Sequence, residues 1–497
     1  MKKVTIVWLA LVGLVLSGCV SDTQTNVAEN FNSIEDFYSQ PISWKKCGRF
    51  QCAELIVPIN YQDLTAGVFR LAITKNPADQ PENRIGSLVV NPGGPGGSGV
   101  DYAQGGFRTA TTQILNRFDL IGFDPRGVGK SDPVSCLTDQ EADEFLALDE
   151  TPDNPAEIAT WNDWVDRFAA SCKSENPETW RHIGSWNVAR DMDVLRAALG
   201  EPKLNWLGKS YGTLLGALYA QLFPDNVGRF VLDGAVDPDP EPDQVLIQIA
   251  GFETALNRFI ADCLRRNNCP LTGNQTAAYQ QLIDFLAELD RTPMPLSDGR
   301  ELTESHAQTA ILVGLYDDKD LWPFLRDALA QAFDGDGEFM ILLSDLINNR
   351  DPDGKYLDNS LSAIYAVNCV DYAQALSPTE LPDEVARLSK VSRFFAPLFG
   401  WGSSACLSWL GQELEPVGKL NAKPINSVLI VGTTFDPATP PQWARSLSAQ
   451  IQNSITVEWQ GDGHTAYRRG SKCIDEMIDS YLISGKLPAA GQTCPAS

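Results

Sequence analysis

The amino-acid sequence predicts an α/β fold with a mostly parallel central sheet and an inserted, mainly helical cap domain. Strand-like and helix-like runs alternate from residue 43 to residue 237, which is typical of a parallel sheet built from βαβ units. Residues 238–423 are mainly helical in pattern, and sheet character resumes in residues 424–497. A helical block between two strands of one sheet is expected to form a cap over that sheet.

The individual elements follow from hydrophobic periodicity. Candidate strands cover residues 86–90, 119–123, 203–207, 229–232, 427–432 and 455–459. Candidate helices cover residues 188–199 and 213–220 and, in the cap, 244–265, 276–289 and 320–333. The run at 427–432 is continuously apolar, as a strand buried on both faces should be. Prolines and acidic residues at 237–242 predict a hinge between the first part of the core and the cap.

The first 42 residues predict export rather than a part of the fold. A short basic start precedes an apolar stretch at 4–16, which is too short to span a bilayer. The stretch ends in Leu-Ser-Gly-Cys, which resembles a bacterial lipobox. We therefore expect residues 1–18 to be a lipoprotein signal peptide. Lipidated Cys19 would anchor the chain at the periplasmic or extracellular face of the bacterial envelope, and residues 19–42 would be a tether.

Cysteine usage also indicates an oxidising compartment. The chain has eleven cysteines, and ten remain once Cys19 is set aside for lipidation. An even number suits disulfides in an exported protein, although the sequence alone does not determine the connectivity. Cysteines that are neighbours in the chain form the predicted pairs: Cys47–Cys52, Cys136–Cys172, Cys263–Cys269, Cys369–Cys406 and Cys473–Cys494. A metal site is disfavoured because histidine is scarce and no C-x-x-C pair occurs.

Charge argues against two kinds of partner. The formal net charge is −25, and the basic residues are not clustered. An acidic surface disfavours nucleic acid and anionic lipid. We therefore expect no nucleic-acid partner, and membrane contact only through the lipid on Cys19. The oligomeric state stays open.

The motif G-x-S-x-G at 208–212 predicts a nucleophile. Ser210 stands between a strand-like run and a helical run, and a serine on a sharp strand–turn–helix is the nucleophile elbow of α/β-hydrolases. The flanking glycines allow strand and helix to approach closely and leave the hydroxyl exposed. The alternative is a buried Gly/Ser turn that serves only packing.

The positions of the histidines test whether Ser210 is a nucleophile, because a hydrolase of this kind needs serine, acid and histidine in that order. The chain has three histidines, and only His306 and His464 follow the serine. His306 lies in a polar helix start, for which a surface position is expected. His464 lies in a glycine-rich loop after a predicted strand, as a general base should. The alternative is a solvent-exposed loop histidine.

The acid and the oxyanion hole complete the predicted site. Asp436 follows the apolar strand at 427–432, and catalytic groups gather at the carboxyl ends of parallel strands. The alternative is a capping aspartate before a proline. Gly93 and Gly94, in a glycine-rich loop after another strand, and the N–H of Tyr211 would stabilise the oxyanion. A phosphate-binding loop is disfavoured because no complete G-x-x-x-x-G-K-[ST] motif occurs.

Taken together, several segments resemble the α/β-hydrolase peptidases of the proline iminopeptidase and tripeptidyl aminopeptidase group, and most of all the secreted bacterial tripeptidyl aminopeptidases. The matching segments are residues 91–99, 118–131, 206–213 and 231–234 and the loops of Asp436 and His464. Pro92 stands where proline iminopeptidases usually carry histidine, and the secreted relatives share that difference.

The resemblance implies a serine exopeptidase that releases tripeptides or amino acids from free peptide N-termini, without metal or organic cofactor. Such an enzyme needs carboxylates for the substrate ammonium, and Asp371, beside Cys369, is the candidate; its alternative is a solvated acid. A carboxylesterase with the same three residues would need no ammonium site. A non-catalytic surface lipoprotein would be expected to lack part of the triad.

Overall fold

The structure is a computed structural model that describes residues 31–239, 244–372, 375–409 and 414–496. The predicted signal peptide, the lipidation site Cys19 and residues 240–242 of the predicted hinge lie outside the described residues.

A single large sheet organises the core. Its strands are β1 (Lys45–Cys47), β2 (Phe50–Asn60), β3 (Asp63–Asn76), β4 (Gly86–Asn91), β5 (Phe118–Phe123), β6 (Leu204–Lys209), β7 (Val227–Asp233), β10 (Val428–Phe435), β11 (Ser454–Asp462) and β12 (Thr493–Cys494). Their order across the sheet is β1-β2-β3-β5-β4-β6-β7-β10-β11-β12. The pairs among β1, β2, β3 and β5 are antiparallel, and all pairs from β5 to β12 are parallel. The predicted mostly parallel sheet is confirmed.

Helices cover both faces of this sheet and fill the insert. They are α1 (Ile34–Tyr38), α2 (Gly99–Gln104), α3 (Thr112–Arg117), α4 (Asp139–Leu146), α5 (Pro155–Glu175), α6 (Ser185–Ala198), α7 (Tyr211–Leu222), α8 (Gln244–Cys263), α9 (Gln275–Arg291), α10 (Glu304–Gly314), α11 (Leu321–Phe333), α12 (Glu338–Ile347), α13 (Ser360–Asp371), α14 (Leu381–Leu388), α15 (Ala396–Gly402), α16 (Pro441–Gln450) and α17 (Lys472–Ser484). Local signals fix their ends: the Asn154 side chain, for example, accepts the N–H groups of Ala156 and Glu157 at the start of α5, which satisfies donors that have no partner within the helix.

Strand β10 is apolar because helices cover both of its faces. Val428, Leu429, Ile430 and Val431 of β10 are fully buried. They alternate between two hydrophobic clusters, one on each side of the sheet. A two-sided burial of this kind removes the polar alternation of a half-exposed strand.

Helices α8–α15 and a small hairpin, β8 (Met294–Pro295) with β9 (Glu301–Leu302), form the insert between β7 and β10. Much of the insert packs around a hydrophobic cluster of its own, which includes Phe252 and Leu325. Helix α13 is different, because its Ala366 and Val370 belong to the main core cluster. Helix α13 therefore connects the insert to the main hydrophobic core.

The end of the predicted tether is part of the folded core, which corrects the boundary expected at residue 43. Residues 34–38 form helix α1, and the side chain of Phe37 is 0% exposed. The Phe37 ring stacks on Phe31 at 4.6 Å between centroids. Phe31 and Ile34 pack against the main core cluster together with Phe37. The sequence does not predict this helix because it is only five residues long, contains two acidic residues and is surrounded by polar residues.

Ten cysteines form five disulfides, and the pairs are those of cysteines that are neighbours in the chain: Cys47–Cys52, Cys136–Cys172, Cys263–Cys269, Cys369–Cys406 and Cys473–Cys494. Across the described ranges, no helix combines the length and the apolarity that a membrane crossing requires.

Candidate active site

Ser210 occupies the sharp turn between β6 and α7. Its backbone has φ 52° and ψ −124°, a region that residues other than glycine rarely adopt. The two flanking glycines allow this turn. A Cβ on Gly208 would lie 2.2 Å from the carbonyl oxygen of Gly212, and a Cβ on Gly212 would lie 2.8 Å from Asn91 Oδ1. Strand and helix therefore pack more closely than any larger residue permits, and the serine side chain is left half-exposed at the tip.

Asp436 and His464 lie together at the carboxyl ends of β10 and β11. His464 Nδ1 is 2.9 Å from Asp436 Oδ1 and 3.1 Å from Oδ2. A carboxylate can only accept, so Nδ1 carries the proton and Nε2 is left as the basic nitrogen. The carboxylate is itself fixed, because it accepts the N–H groups of Ala438, Thr439 and Thr465 and the Thr439 hydroxyl.

The end of β7 brings the serine and the histidine into one neighbourhood. Ser210 donates its backbone N–H to the carbonyl of Asp233 at 2.9 Å. The next residue, Gly234, lies against the imidazole: a Cβ there would be 3.5 Å from His464 Cε1. Within the described residues, no hydrogen bond joins Ser210 Oγ to His464. Contacts between nucleophile and base are often long without substrate and tighten when it binds.

The predicted oxyanion residues divide into two roles. Gly93 lies directly against the elbow, since a Cβ there would be 2.8 Å from Ser210 Cβ and 3.2 Å from the Tyr211 nitrogen. Its own N–H, however, donates to Asn91 Oδ1 at 2.9 Å. Gly93 therefore supplies close approach rather than a donor, which corrects the prediction for this residue. The N–H groups of Gly94 and Tyr211 are the remaining candidate donors.

Asp371 does not face a substrate cleft, which corrects the predicted amine-binding role. Its side chain is fully buried at the end of α13. One oxygen accepts the Ser185 N–H at 2.7 Å, and the other lies 2.5 Å from Ser185 Oγ. Ser185 Oγ in turn contacts the Tyr211 hydroxyl at 2.6 Å. Burial raises the pKa of Asp371 to about 7. Asp371 therefore holds Ser185, which contacts the Tyr211 hydroxyl, and it has no exposed oxygen that could bind an ammonium group.

His306 is also placed differently from the expectation. It does lie at the start of a helix, α10, where its Nδ1 is 3.0 Å from the hydroxyl of the N-cap Thr303. It is not on the surface, because it is only 4% exposed. Burial lowers its pKa to about 4, so this histidine is neutral at physiological pH.

One contact that the sequence does not predict joins the insert to the histidine loop. The backbone carbonyl of Tyr316, just after α10, accepts the N–H of His464 at 2.9 Å and a guanidinium N–H of Arg469 at 2.7 Å. The Tyr316 ring packs edge-on against the imidazole, with centroids 5.1 Å apart. Arg469 also pairs with Asp317 at 2.6 Å. The insert therefore forms one wall of the site.

One group of carboxylates could hold a cation. Among the described residues, Asp149, Asp290 and Glu304 bring their oxygens within 4.8 Å of one another at the junction of core and insert. Burial is the main reason why the pKa of Asp149 is raised to about 6 and that of Glu304 to about 7. These residues are separate from the Asp436–His464 pair, and they do not take part in the chemistry described below.

The serine lies on a turn between a strand and a helix, and the carboxylate–histidine pair follows two further strands of the same mostly parallel sheet. This arrangement defines a serine hydrolase. The family described as alpha/beta hydrolase fold matches residues 86–468 of the chain. The chain belongs to the α/β-hydrolase family, and the predicted fold class and enzyme class are confirmed.

Curated relatives match almost the whole chain. Serine protease Hip1 of Mycobacterium tuberculosis is 34% identical over 521 residues, covering 99% of this chain and 98% of that protein. Carboxylesterase B of the same species is 35% identical over 474 residues, covering 91% and 89%. Tripeptidyl aminopeptidase of Streptomyces lividans is 30% identical over 475 residues, covering 91% and 86%. The predicted relationship to tripeptidyl aminopeptidases is confirmed.

Proposed function

We propose that the protein is a serine exopeptidase that releases tripeptides, or single amino acids, from the free N-termini of peptides. The observation that carries the proposal is the Asp436–His464 pair beside the elbow serine Ser210. The relationship to Hip1 and to the Streptomyces aminopeptidase supports peptides as the substrates. Neither step of the proposed reaction requires a metal or an organic cofactor.

The proposed reaction is a two-step acyl transfer. Ser210 Oγ attacks the peptide carbonyl carbon while His464 Nε2 takes its proton. The tetrahedral intermediate collapses as the same proton passes to the leaving amine, and an acyl-enzyme ester remains. Water, deprotonated by His464, then releases the N-terminal fragment and regenerates the serine. Asp436 holds the imidazole in the required tautomer and stabilises the imidazolium.

The oxyanion of each tetrahedral intermediate is assigned to the N–H groups of Tyr211 and Gly94. Tyr211 is the first residue of the 12-residue helix α7, so its N–H stands at the positive end of the helix dipole. Gly93 brings the glycine-rich loop against the elbow and so sets the distance between the two donors. Donors fixed before the reaction stabilise the developing negative charge without reorganisation.

We also propose that the protein is exported and anchored through a lipid on Cys19. The apolar N-terminal stretch and the lipobox-like end support this placement. The five disulfides support an oxidising compartment, because such bonds are rarely stable in the bacterial cytosol.

Two substitutions and one substrate modification test the peptidase proposal. Ser210→Ala should lower turnover of a free-amine peptide by several powers of ten, with residual activity from binding and oxyanion stabilisation. Ser484→Ala, at an exposed helix end, is the matched control and should keep full activity. Acetylating the substrate N-terminus should lower kcat/KM by roughly one to two powers of ten, as expected for a lost charge-assisted contact. Near-normal hydrolysis by Ser210→Ala would refute the assigned nucleophile.

A carboxylesterase is the second candidate, and the 35% identity to Carboxylesterase B favours it. Ester and amide hydrolysis use the same nucleophile, base and oxyanion donors. The two candidates differ in the substrate amine, because an esterase has no ammonium group to recognise. Equal cleavage of free and acetylated peptides, together with much faster cleavage of simple carboxylic esters, would favour the esterase.

A further inference from the structure

The residue just before the proposed nucleophile reaches across to the loop that carries the base. Lys209 ends β6, and its side chain is only 12% exposed. Its Nζ donates to the backbone carbonyl of Tyr467 at 2.5 Å and lies 3.5 Å from the Thr465 hydroxyl. A lysine that leads into a catalytic turn could extend into solvent, but this one is directed inward to the segment just after His464.

Asp233 at the end of β7 completes the connection. It is fully buried, and its carboxylate lies 3.8 Å from Lys209 Nζ. One carboxylate oxygen accepts the N–H of Ala466 at 2.9 Å and the other accepts the N–H of Tyr467 at 2.9 Å. Its backbone carbonyl accepts the N–H of Ser210. Asp233 therefore contacts both the elbow and the histidine loop.

The loop needs such support because its backbone is unusual. Thr465 and Arg468 have φ of +67° and +66°, a conformation that residues with a Cβ adopt only when their surroundings impose it. The four contacts that Lys209 and Asp233 make with this segment all end on residues 465–467. They therefore hold the strained segment that follows the proposed base.

We infer that Lys209 and Asp233 are positioning residues that hold His464 in reach of Ser210. Neither residue takes part in the chemistry; both act through the loop. The inference rests on the triad proposed above. A change of about 1 Å in the relative position of base and nucleophile is enough to lower a rate about a hundredfold.

The pair also sets the electrostatics around the base. Burial raises the pKa of Asp233 and lowers the pKa of Lys209, while the attraction between the two charges opposes both shifts. Among the described residues, the charged or titratable groups near the imidazole include Asp436, which binds its Nδ1, and Tyr316 of the insert. They also include Arg469, which pairs with Asp317 of the insert, and Asp462 at the end of β11, which pairs with Arg258 of α8. Removing one member of the pair changes the charge near His464 and leaves these other groups in place.

Three variants test the inference. Lys209→Met removes the charge and the donor but keeps the length of the side chain, whereas Lys209→Arg keeps the charge. Asp233→Asn keeps the size but presents an amide N–H group to one backbone N–H. Arg196→Met is the matched control, because Arg196 also bridges a carboxylate, Asp193, and a backbone carbonyl, that of Glu201, away from the triad.

We expect Lys209→Met and Asp233→Asn to lower kcat about ten- to a hundredfold with little change in KM. Lys209→Arg should recover most of the loss, and Arg196→Met should keep the wild-type kcat. The acidic limb of the kcat/KM profile should move to higher pH in Lys209→Met, where an anion is left unpaired, and to lower pH in Asp233→Asn, where a cation is left unpaired. A purely structural role would not produce opposite shifts.

Circular dichroism and thermal unfolding identify variants that fail to fold, and rates are referred to folded protein. If Asp233→Asn does not fold, the two Lys209 variants and their pH profiles still decide the question. Wild-type kcat and an unshifted profile in folded Lys209→Met would overturn the inference while Ser210→Ala remains inactive. If Ser210→Ala is itself active, the proposed triad fails instead.

Discussion

Replacing Asp371 by asparagine should change how stability depends on pH. Asp371 is fully buried, and its neighbour Ser185 bonds to both of its oxygens. Asparagine has the same shape as the protonated carboxyl group. Its oxygen can accept the Ser185 N–H, and its amide can donate to Ser185 Oγ, which then donates to Tyr211. The variant therefore keeps the hydrogen bonds of the neutral acid and cannot ionise.

The size of the effect follows from the pKa. Burial raises the pKa of Asp371 from 3.8 to about 7, a difference of about 3 pH units that corresponds to about 4 kcal/mol. Between these two values the unfolded chain has released its proton while the folded protein retains it. The free energy of unfolding therefore decreases as pH rises from about 4 to about 7 and is unaffected by this group above that range.

Urea unfolding of wild type and Asp371→Asn at pH 5, 6, 7 and 8, with disulfides intact, measures this difference. The stability of wild type relative to the variant should fall by about 2 kcal/mol between pH 5 and pH 7 and then level off. All other titrating groups cancel in the comparison. Asp353→Asn, at an exposed turn, should run parallel to wild type. Parallel curves for Asp371→Asn and wild type would refute the buried neutral carboxyl.

Two further predictions concern the N-terminal segment. Phe37→Ala should lower the free energy of unfolding, measured in urea, by about 3–5 kcal/mol, as for other fully buried phenylalanines. Ile425→Ala, at an exposed residue, is the control. A loss below about 1 kcal/mol in Phe37→Ala would show that α1 does not pack on the core. Cys19→Ser should release the protein from membranes into the soluble fraction with unchanged specific activity, and full membrane retention of a processed mutant would contradict lipidation at this residue.

The parts of the site that the sequence predicts are those with a local signature. Ser210 stands in a motif whose glycines are needed within two residues of the serine. His464 lies in a glycine-rich loop directly after a predicted strand, in a chain with only three histidines. Asp436 follows a strand whose continuous apolarity reflects burial on both faces. In each case the decisive information lies in a few consecutive residues.

The parts that the sequence missed depend on contacts between distant segments. The sequence predicts that Asp371 is free to bind an ammonium group, because its partner Ser185 is 186 positions away. A buried carboxylate cannot be distinguished from a solvated one in the sequence when its partner is not known. Lys209 reads as the variable residue of the motif, although its side chain ends 258 positions further on, at Tyr467. The sequence places Phe37 in the predicted tether because a helix of five residues, two of them acidic, is too short to show a hydrophobic period.

The contact between Tyr316 and His464 affects how the insert can diverge. The hydrogen bond uses a main-chain carbonyl, so the identity of the side chain at this position is not set by that bond. What must be kept is the path of the chain from the end of α10 to the loop of the base. Substrate selectivity can thus evolve through the helices of the insert, whereas a cap transplanted from a relative would need this carbonyl at the same place to leave the base supported.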